Sequence, residues 1–404
     1  MNLRKKQVVM LLAKWYEANP RARNEAETLT SAGYDVTVLS WDRLGIEPRE
    51  ISVNGVTVRS LRLLRGTEFS KVSYALSAFM LQVYCLVWCL RHMNHRYVLH
   101  SHDLGTLVAG VMLRILRPKH VKLVYDCHEL TPAVYAEWYG FGVGLVAGEL
   151  ERKLLRFADS VITVNPPIQN YLSEITGKRA SVIFNTVKPE SVPPEDKTWW
   201  KKKLGLNGFI VSYVGTLRQG VALDELMDAA ASMSDMNVKG TKFVIVGLGP
   251  ELSRIKNKAS NLTDSVVFVP RVPHLEALGY VKASDVSYAV YRTQTDSQEP
   301  NEYNRLVSGN SMVASPWKVF EAMACGTCVL VRKGTYTWTL VESLGFGISA
   351  GSGTGIEIAD SLSWAFQNQA MIESMGNSAR KHFIDEYNWD RMAKRLVELY
   401  GELA

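Results

Sequence analysis

Lys318 and Glu321 stand three residues apart in SPWKVFEAMACGTCVLV (Ser315–Val331), which opens on Ser-Pro and reaches Gly326 before an apolar run. Residues at i and i+3 share a helical face, and serine followed by proline is a favoured helix start. The expected helix therefore begins at Ser315-Pro316, where unpaired backbone N–H groups and the positive dipole end suit a phosphate. Lys318 would add a cation to the same anion. Glu321, a turn further in, would accept hydrogen bonds from sugar hydroxyls. The set suits a nucleotide-sugar diphosphate with its ribose. The plainer alternative is an amphipathic helix whose Lys318 and Glu321 form a surface ion pair.

Other residues have chemical potential of their own. VGTLRQGVALDEL (Val214–Leu226) sets Gly215-Thr216 at a strand end and Arg218 in the following turn. Glycine lets a phosphate approach the backbone, and arginine grips it in bidentate fashion. VGLGPEL (Val246–Leu252) is a second glycine-bearing strand-to-helix turn, whose Gly247 and Gly249 equally suit close packing. HSHD (His100–Asp103) and YDCHEL (Tyr125–Leu130) each follow an apolar run. A histidine and a carboxylate there could take a hydroxyl proton or hold hydroxyls. H-x-H with a nearby H-E also resembles part of a hydrolase metal site, but the H-E-x-x-H helix and a clear fourth ligand are missing, so no metal is expected. Arg21 and Arg23, in WYEANPRARNEA (Trp15–Ala26), could hold an anionic acceptor or simply be solvated. Cys325-Gly-Thr-Cys328 is a C-x-x-C with its first cysteine at a helix end rather than a start, which argues against redox use.

The Ser315–Val331 segment resembles the donor-binding signature of family 4 retaining glycosyltransferases of GT-B fold, in the form P-x-K-x-x-E-x-M-A-x-G. The resemblance implies donor contacts from Gly215, Thr216, Arg218, Arg271, Val272, Ser315, Lys318 and Glu321, with Arg271 and Val272 in the base-binding turn FVPRVPHLEAL (Phe268–Leu278). It puts His102 beside the reacting sugar, with Lys318 and Arg218 on the leaving phosphate. Asp103, Asp126, His128 and Glu129, with Arg21 and Arg23, then fall on the acceptor side. It implies transfer of a sugar to a hydroxyl with retention and without a cofactor, the leaving phosphate acting as base. Two features depart from the pattern. The lysine usual after Arg218 is replaced by Gln219-Gly220-Val221. The first glutamate of the fuller signature is Val313, for which Glu299, Glu302 or Asn304 are candidate substitutes. Such departures leave two rivals in view, a GT-B sugar-nucleotide epimerase and a non-catalytic glycosyltransferase-like subunit.

The elements that must position these residues follow from apolar periodicity. Gln7–Leu12, Asp35–Trp41, Tyr97–Ser101, Val121–Asp126, Ser160–Val164 and Ser181–Phe184 read as short strands between helical stretches. A second series runs through Phe209–Gly215, Lys242–Gly247, Ser265–Val269, Asp285–Tyr291 and Cys328–Arg332. Such alternation predicts an α/β protein with two doubly wound, Rossmann-like domains facing across a cleft, where strand C-termini meet. The expected domains are 1–190 for the acceptor and 204–380 for the donor, joined by the Pro- and charge-rich 185–203. A C-terminal helix, 381–404, is expected to cross back onto the first domain. The segment Asp296–Ala314 reads as a polar loop.

With 404 residues the chain is too long for one core. A net charge of +6 suits anionic substrates or an anionic membrane, and no basic-aromatic tract supports nucleic acid. The first twenty residues have too short an apolar run for a signal peptide, and five cysteines without framework spacing favour a reducing cytoplasm. Val72–Leu90 carries no charge, close to the roughly 20 residues a bilayer span needs. Its expected role is a membrane-contacting helix of a cytoplasmic, peripheral protein, or else a buried helix. A true span is disfavoured by the strands on both sides of it. A lipid-linked or membrane-proximal acceptor, in glycan or polysaccharide assembly, follows from the first of these.

Overall fold

The computed structural model describes residues 6–63, 71–93, 95–235, 240–293 and 302–403. The chain divides into two units, one comprising Met1–Phe184 and Met392–Ala404, the other Asn185–Arg391.

Unit 1 is built on strands β1 (Gln7–Leu12), β2 (Asp35–Trp41), β3 (Glu50–Val53), β4 (Val56–Leu61), β5 (Tyr97–His102), β6 (Val121–Cys127), β7 (Ser160–Thr163) and β8 (Ser181–Val182). Their order in the sheet is 3-4-2-1-5-6-7-8, parallel throughout except for the β3–β4 hairpin. Helices α1 (Pro20–Ser31), α2 (Lys71–His92), α3 (Leu104–Leu116), α4 (Thr131–Tyr139), α5 (Phe141–Leu154) and α6 (Pro166–Thr176) connect them. Residues Val8 to Leu12 are all buried, as expected of a strand covered on both faces. Asn19 and Asn165 start α1 and α6 by accepting hydrogen bonds from the N–H groups of Ala22 and Ile168. The strand order reverses at β1, which pairs with β2 on one side and β5 on the other. At such a reversal the loops leaving the strand ends diverge and open a crevice within the domain. Lys14 and the His102-Asp103 step lie at that point.

The hairpin β3–β4 has no counterpart among the expected strands. It turns on Asn54-Gly55, both with positive φ (51° and 79°), the pair that a two-residue hairpin favours. Helix α2 is one-sided. Ser77, Leu81, Cys85, Trp88 and Cys89 are buried, whereas Leu76, Phe79, Met80, Val83 and Val87 are exposed along one stripe.

Unit 2 contains α7 (Lys197–Lys203), β9 (Phe209–Val214), α8 (Leu223–Asp235), β10 (Thr241–Val246), α9 (Leu252–Lys258), β11 (Val266–Val269), α10 (His274–Ala283) and β12 (Val286–Ala289). It continues with α11 (Glu302–Val313), α12 (Trp317–Cys325), β13 (Cys328–Val331), α13 (Tyr336–Leu344), β14 (Gly347–Ser349), α14 (Gly355–Gln367) and α15 (Gln369–Asp385). Its six parallel strands run 11-10-9-12-13-14, so the reversal falls at β9, next to Gly215. The last helix, α16 (Trp389–Leu403), starts in unit 2 and from Met392 onward belongs to unit 1.

Two expectations need correction here. Residues Glu302–Val313 form α11 rather than a loop; polar composition did not prevent a helix because no proline interrupts the run. Pro316 is the N-cap of α12, with extended ψ of 137°, so the helix begins at Trp317 and Ser315 stands outside it.

Candidate functional site

In unit 2 the end of β9 and the start of α12 converge. Gly215 has a φ of 147°, and a Cβ on it would sit 2.6 Å from Lys318 Nζ. The missing side chain is what admits the ammonium to the strand end. Lys318 Nζ lies 4.9 Å from the Tyr213 ring centroid and 6.0 Å from that of Tyr291, within reach of both π faces. Burial works against its charge, but Tyr291, Tyr213 and Glu321 outweigh it and the pKa rises, so Lys318 stays a cation. Tyr213 is itself fixed, its hydroxyl donating to the Thr216 carbonyl at 2.6 Å.

Ser315 Oγ is buried and has no hydrogen-bond partner in the structure, a condition that buried hydroxyls seldom tolerate without a ligand or water. One turn into α12, Glu321 Oε1 lies 3.2 Å from His274 Nε2 at the head of α10. Arg218 and Thr216 are exposed in the turn after Gly215, and Arg271 is exposed after β11. Val272 is turned inward against the small core around Ile210 and Val244. Gly247 serves packing: a Cβ there would stand 2.1 Å from the Gly215 carbonyl oxygen, and Leu217 N–H bonds the Leu248 carbonyl at 2.9 Å. One fixed cation, one exposed guanidinium, a helix N-terminus, an unpaired hydroxyl and a carboxylate thus share one edge of the sheet. That is a set suited to a pyrophosphate and a diol.

In unit 1 the ends of β5 and β6 gather the histidines. His100 and His102 share a face of β5, as residues two apart must, and their rings stack at 4.4 Å and 6°. Asp126 accepts two hydrogen bonds from Arg21 (Nε and Nη2, both 2.8 Å) and one from His128 Nε2 at 2.8 Å. His128 also lies 3.3 Å from Asp103 Oδ2 through Nδ1, and its backbone N–H donates to Asp103 Oδ1 at 3.0 Å. Burial would discharge His128, yet Asp103 and Asp126 outweigh it and push the pKa up to about 10. Burial, helped by the neighbouring His100, instead lowers His102 to about 3 and keeps it neutral. Asp103, against its burial, is held well below the usual carboxylate range by His128 and Lys14. It stands at the N-cap position of α3 without a side-chain capping bond, at a φ of 57°, a strained conformation for a non-glycine residue. Its carboxylate is 34% exposed, with Lys14 Nζ at 3.9 Å. Glu129 is exposed nearby in sequence.

Glu25, His100, His102 and Asp126 bring ligand atoms within 4.8 Å of one another. Arg21 and His128 already pair with the Asp126 carboxylate of this group.

Residues 196–382 match the family described as glycosyl transferases group 1, and residues 17–186 match the glycosyl transferase 4-like domain. The sucrose-phosphate synthase of Thermosynechococcus elongatus superposes with a TM-score of 0.78 over 99% of both chains, at 18% identity. The chain belongs to the GT-B glycosyltransferases. A second solved structure, HepE of Anabaena in complex with UDP and glucose, is similar with a TM-score of 0.69 and 16% identity, over 98% of this chain and 99% of that one. Among curated proteins, an uncharacterized glycosyltransferase of Methanocaldococcus jannaschii is 20% identical over 254 residues, 62% of this chain. The match spans 60% of that relative's length.

Within this glycosyltransferase some expected site residues sit differently from their assignment. Arg21 is 3% exposed, and its guanidinium is committed to Asp126 and to the Ile183 carbonyl at 2.6 Å. It is a core ion pair and not a ligand for an anionic acceptor. Asp126 is buried for the same reason. His102 is 2% exposed with both ring nitrogens facing protein groups, so it supports the edge from within, and Asp103 is the carboxylate that reaches solvent. Arg23 is half-exposed beside Glu17. Glu302 is exposed on α11, Glu299 lies outside the described residues, and so does the Asn304 side chain. Both thiols of the C-x-x-C are buried and pushed up to about 12 by burial, which leaves them unreactive. Sequence reasoning missed Tyr213, Tyr291 and His274 around the donor residues, and Glu25, Lys14 and Tyr400 around the histidines. Only the alternation within FIVSYVG hinted at Tyr213.

Proposed function

We propose that this glycosyltransferase moves a sugar from a nucleotide-sugar donor to a hydroxyl acceptor with retention of configuration, without a metal ion. The observation that carries the reading is Lys318 seated against Gly215, beside an unpartnered Ser315 hydroxyl and the N-terminus of α12. On this reading Lys318, Arg218 and the helix end bind the donor diphosphate, and Glu321, oriented by His274, takes the ribose hydroxyls. As the anomeric C–O bond breaks, the diphosphate departs with the electron pair and its new charge meets those cations. The acceptor oxygen bonds the anomeric carbon on the same face and yields its proton to the departing phosphate oxygen. Asp103, with Lys14 beside it, holds acceptor hydroxyls. The UDP complex of HepE supports a uridine donor as the first to try. In a thermal-shift panel of UDP-, GDP- and ADP-sugars, one nucleotide class should raise the midpoint at concentrations well above its Kd. If none of them does, the donor site is misread.

The acceptor on this reading is membrane-borne, and the enzyme is cytoplasmic and peripheral. Helix α2 is long and apolar enough to cross a bilayer by composition, but one face of it is committed to the core of unit 1. Helix α2 packs on α3, which packs on α5, and these helices carry exposed Met112, Ile115, Val143 and Val146. Exposed apolar residues on three successively packed helices are what a membrane-contacting face would present. Exposed Arg91 in the last turn of α2, with exposed Lys119 after α3 and Arg156 after α5, complements anionic headgroups. Flotation with anionic vesicles should carry the protein up, and the double substitution Phe79→Asp, Val83→Asp should cut the bound fraction about tenfold. Equal behaviour with and without vesicles would leave a soluble acceptor instead.

A further inference from the structure

We propose that Glu25 is a positioning residue: from α1 it orders the His100 and His102 imidazoles so that the one charged imidazole of the cluster is His128, beside Asp103. Its activity readout rests on the transferase reading, while its spectroscopic readout does not.

Glu25 is fully buried, and its Oε2 lies 3.8 Å from His102 Nε2 and 3.9 Å from His100 Nε2. Neither carboxylate oxygen and neither Nε2 has a hydrogen bond in the structure. Buried polar atoms that face one another in this way are costly unless a proton is placed among them. The titratable groups around Glu25 are Arg21 on its own helix (Nε 3.2 Å from Oε1), His100 and His102 on β5, Asp126 on β6, His128 after it and Tyr400 on α16. Two anions, Asp103 and Asp126, already balance two cations, Arg21 and His128. Burial and the nearby Asp126 therefore raise the Glu25 pKa, and the group keeps its proton.

A protonated carboxyl is a donor, and the atom before it is His102 Nε2. On this proposal His102 Nδ1, 3.3 Å from Asp126 Oδ2 and 3.2 Å from His128 Nε2, presents its N–H to the carboxylate, which leaves the lone pair on Nε2. His100 Nδ1 and the Tyr400 hydroxyl share a hydrogen bond at 2.8 Å; with Tyr400 as its donor, the His100 proton sits on Nε2, 3.9 Å from Glu25 and from Asp126. On this proposal the protons are ordered one way, from Tyr400 through His100, Glu25 and His102 to Asp126, across Glu25 contacts that stand at 3.8 and 3.9 Å. Without Glu25, His102 can move its proton to Nε2. Its Nδ1 lone pair, 3.2 Å from His128 Nε2, then competes with Asp126 for the His128 proton.

The test uses the full chain with nitrogen-15-labelled histidine. The wild type should show neutral His102 as the Nδ1–H tautomer. Glu25→Gln, whose neutral amide can still donate to Nε2, should keep that pattern. Glu25→Leu should move the proton to Nε2 and lower the alkaline titration of His128 by about a pH unit more than Glu25→Gln does, since both variants lose the carboxylate charge that wild-type Glu25 acquires near pH 8. With a donor in hand, the alkaline limb of the Glu25→Leu rate profile should move likewise, with donor KM changed less than ~twofold. An Nε2–H tautomer in the wild type, or a His128 titration no lower in Glu25→Leu than in Glu25→Gln, overturns the proposal. Should Glu25→Leu fail to fold, the wild-type and Glu25→Gln tautomers decide it. An ordered tautomer with an unmoved rate profile would sustain the ordering and count against the cluster's part in transfer.

Discussion

Arg21→Met should destabilise the protein by about 3–5 kcal/mol, the range for breaking a buried ion pair by removing one partner. Arg21 is the cation that offsets Asp126, and it also donates to the Ile183 carbonyl, tying α1 to β6 and to the stretch after β8. In its absence Asp126 and Glu25 are left in the core with His128 as the remaining cation. For a unit of this size the loss should lower the thermal midpoint by roughly 10 °C. Pairing it with Asp126→Asn should recover part of that, so the double variant falls short of the sum of the singles. A drop under about 2 °C would return Arg21 to the surface and to acceptor binding.

Lys318→Ala should reduce kcat/KM for transfer by about 10²–10³-fold, the usual cost of deleting a preorganised group aimed at developing charge. The fold should survive, because the ammonium sits at the sheet edge against Tyr213 and Tyr291 rather than in the core. Gly215→Ala should produce a milder version of the same defect, since its methyl would occupy the place of the Lys318 headgroup. Steady-state kinetics with the nucleotide-sugar found in the thermal panel would measure both. If Lys318→Ala retained activity within a few-fold, the diphosphate would have to be held elsewhere.

What could be read from the chain followed from how local the cause was. Strands such as Gln7–Leu12 and Asp35–Trp41 were legible because burial on both faces demands near-continuous apolar runs. The β3–β4 hairpin carried a strong local signal in Asn54-Gly55, but the flanking strands are polar and short. Helix α11 hid behind its composition: EYNRLVSGNSMV reads as a loop although it folds as a helix. The donor edge was half visible. Lys318, Glu321 and Gly215 stand in short motifs, whereas Tyr291 and His274 join them only through strand order. Around the histidines the signal failed for a clear reason. Arg21 and Asp126 are 105 residues apart, and His100 and Tyr400 are 300 apart. No spacing rule reaches that far. The N-terminus of a helix is also an ambiguous address for an arginine, equally fit for solvent, for ligand or for a distant carboxylate.

The chain leaves unit 1 at Phe184 and re-enters it at Met392. A ribosome therefore completes all of unit 2 while the first sheet still lacks α16, and His100 waits for Tyr400 until residue 400 has emerged. Stops introduced just before Met392 should consequently injure the portion made earliest, and pulse-labelled nascent chains should gain protease resistance in unit 2 first.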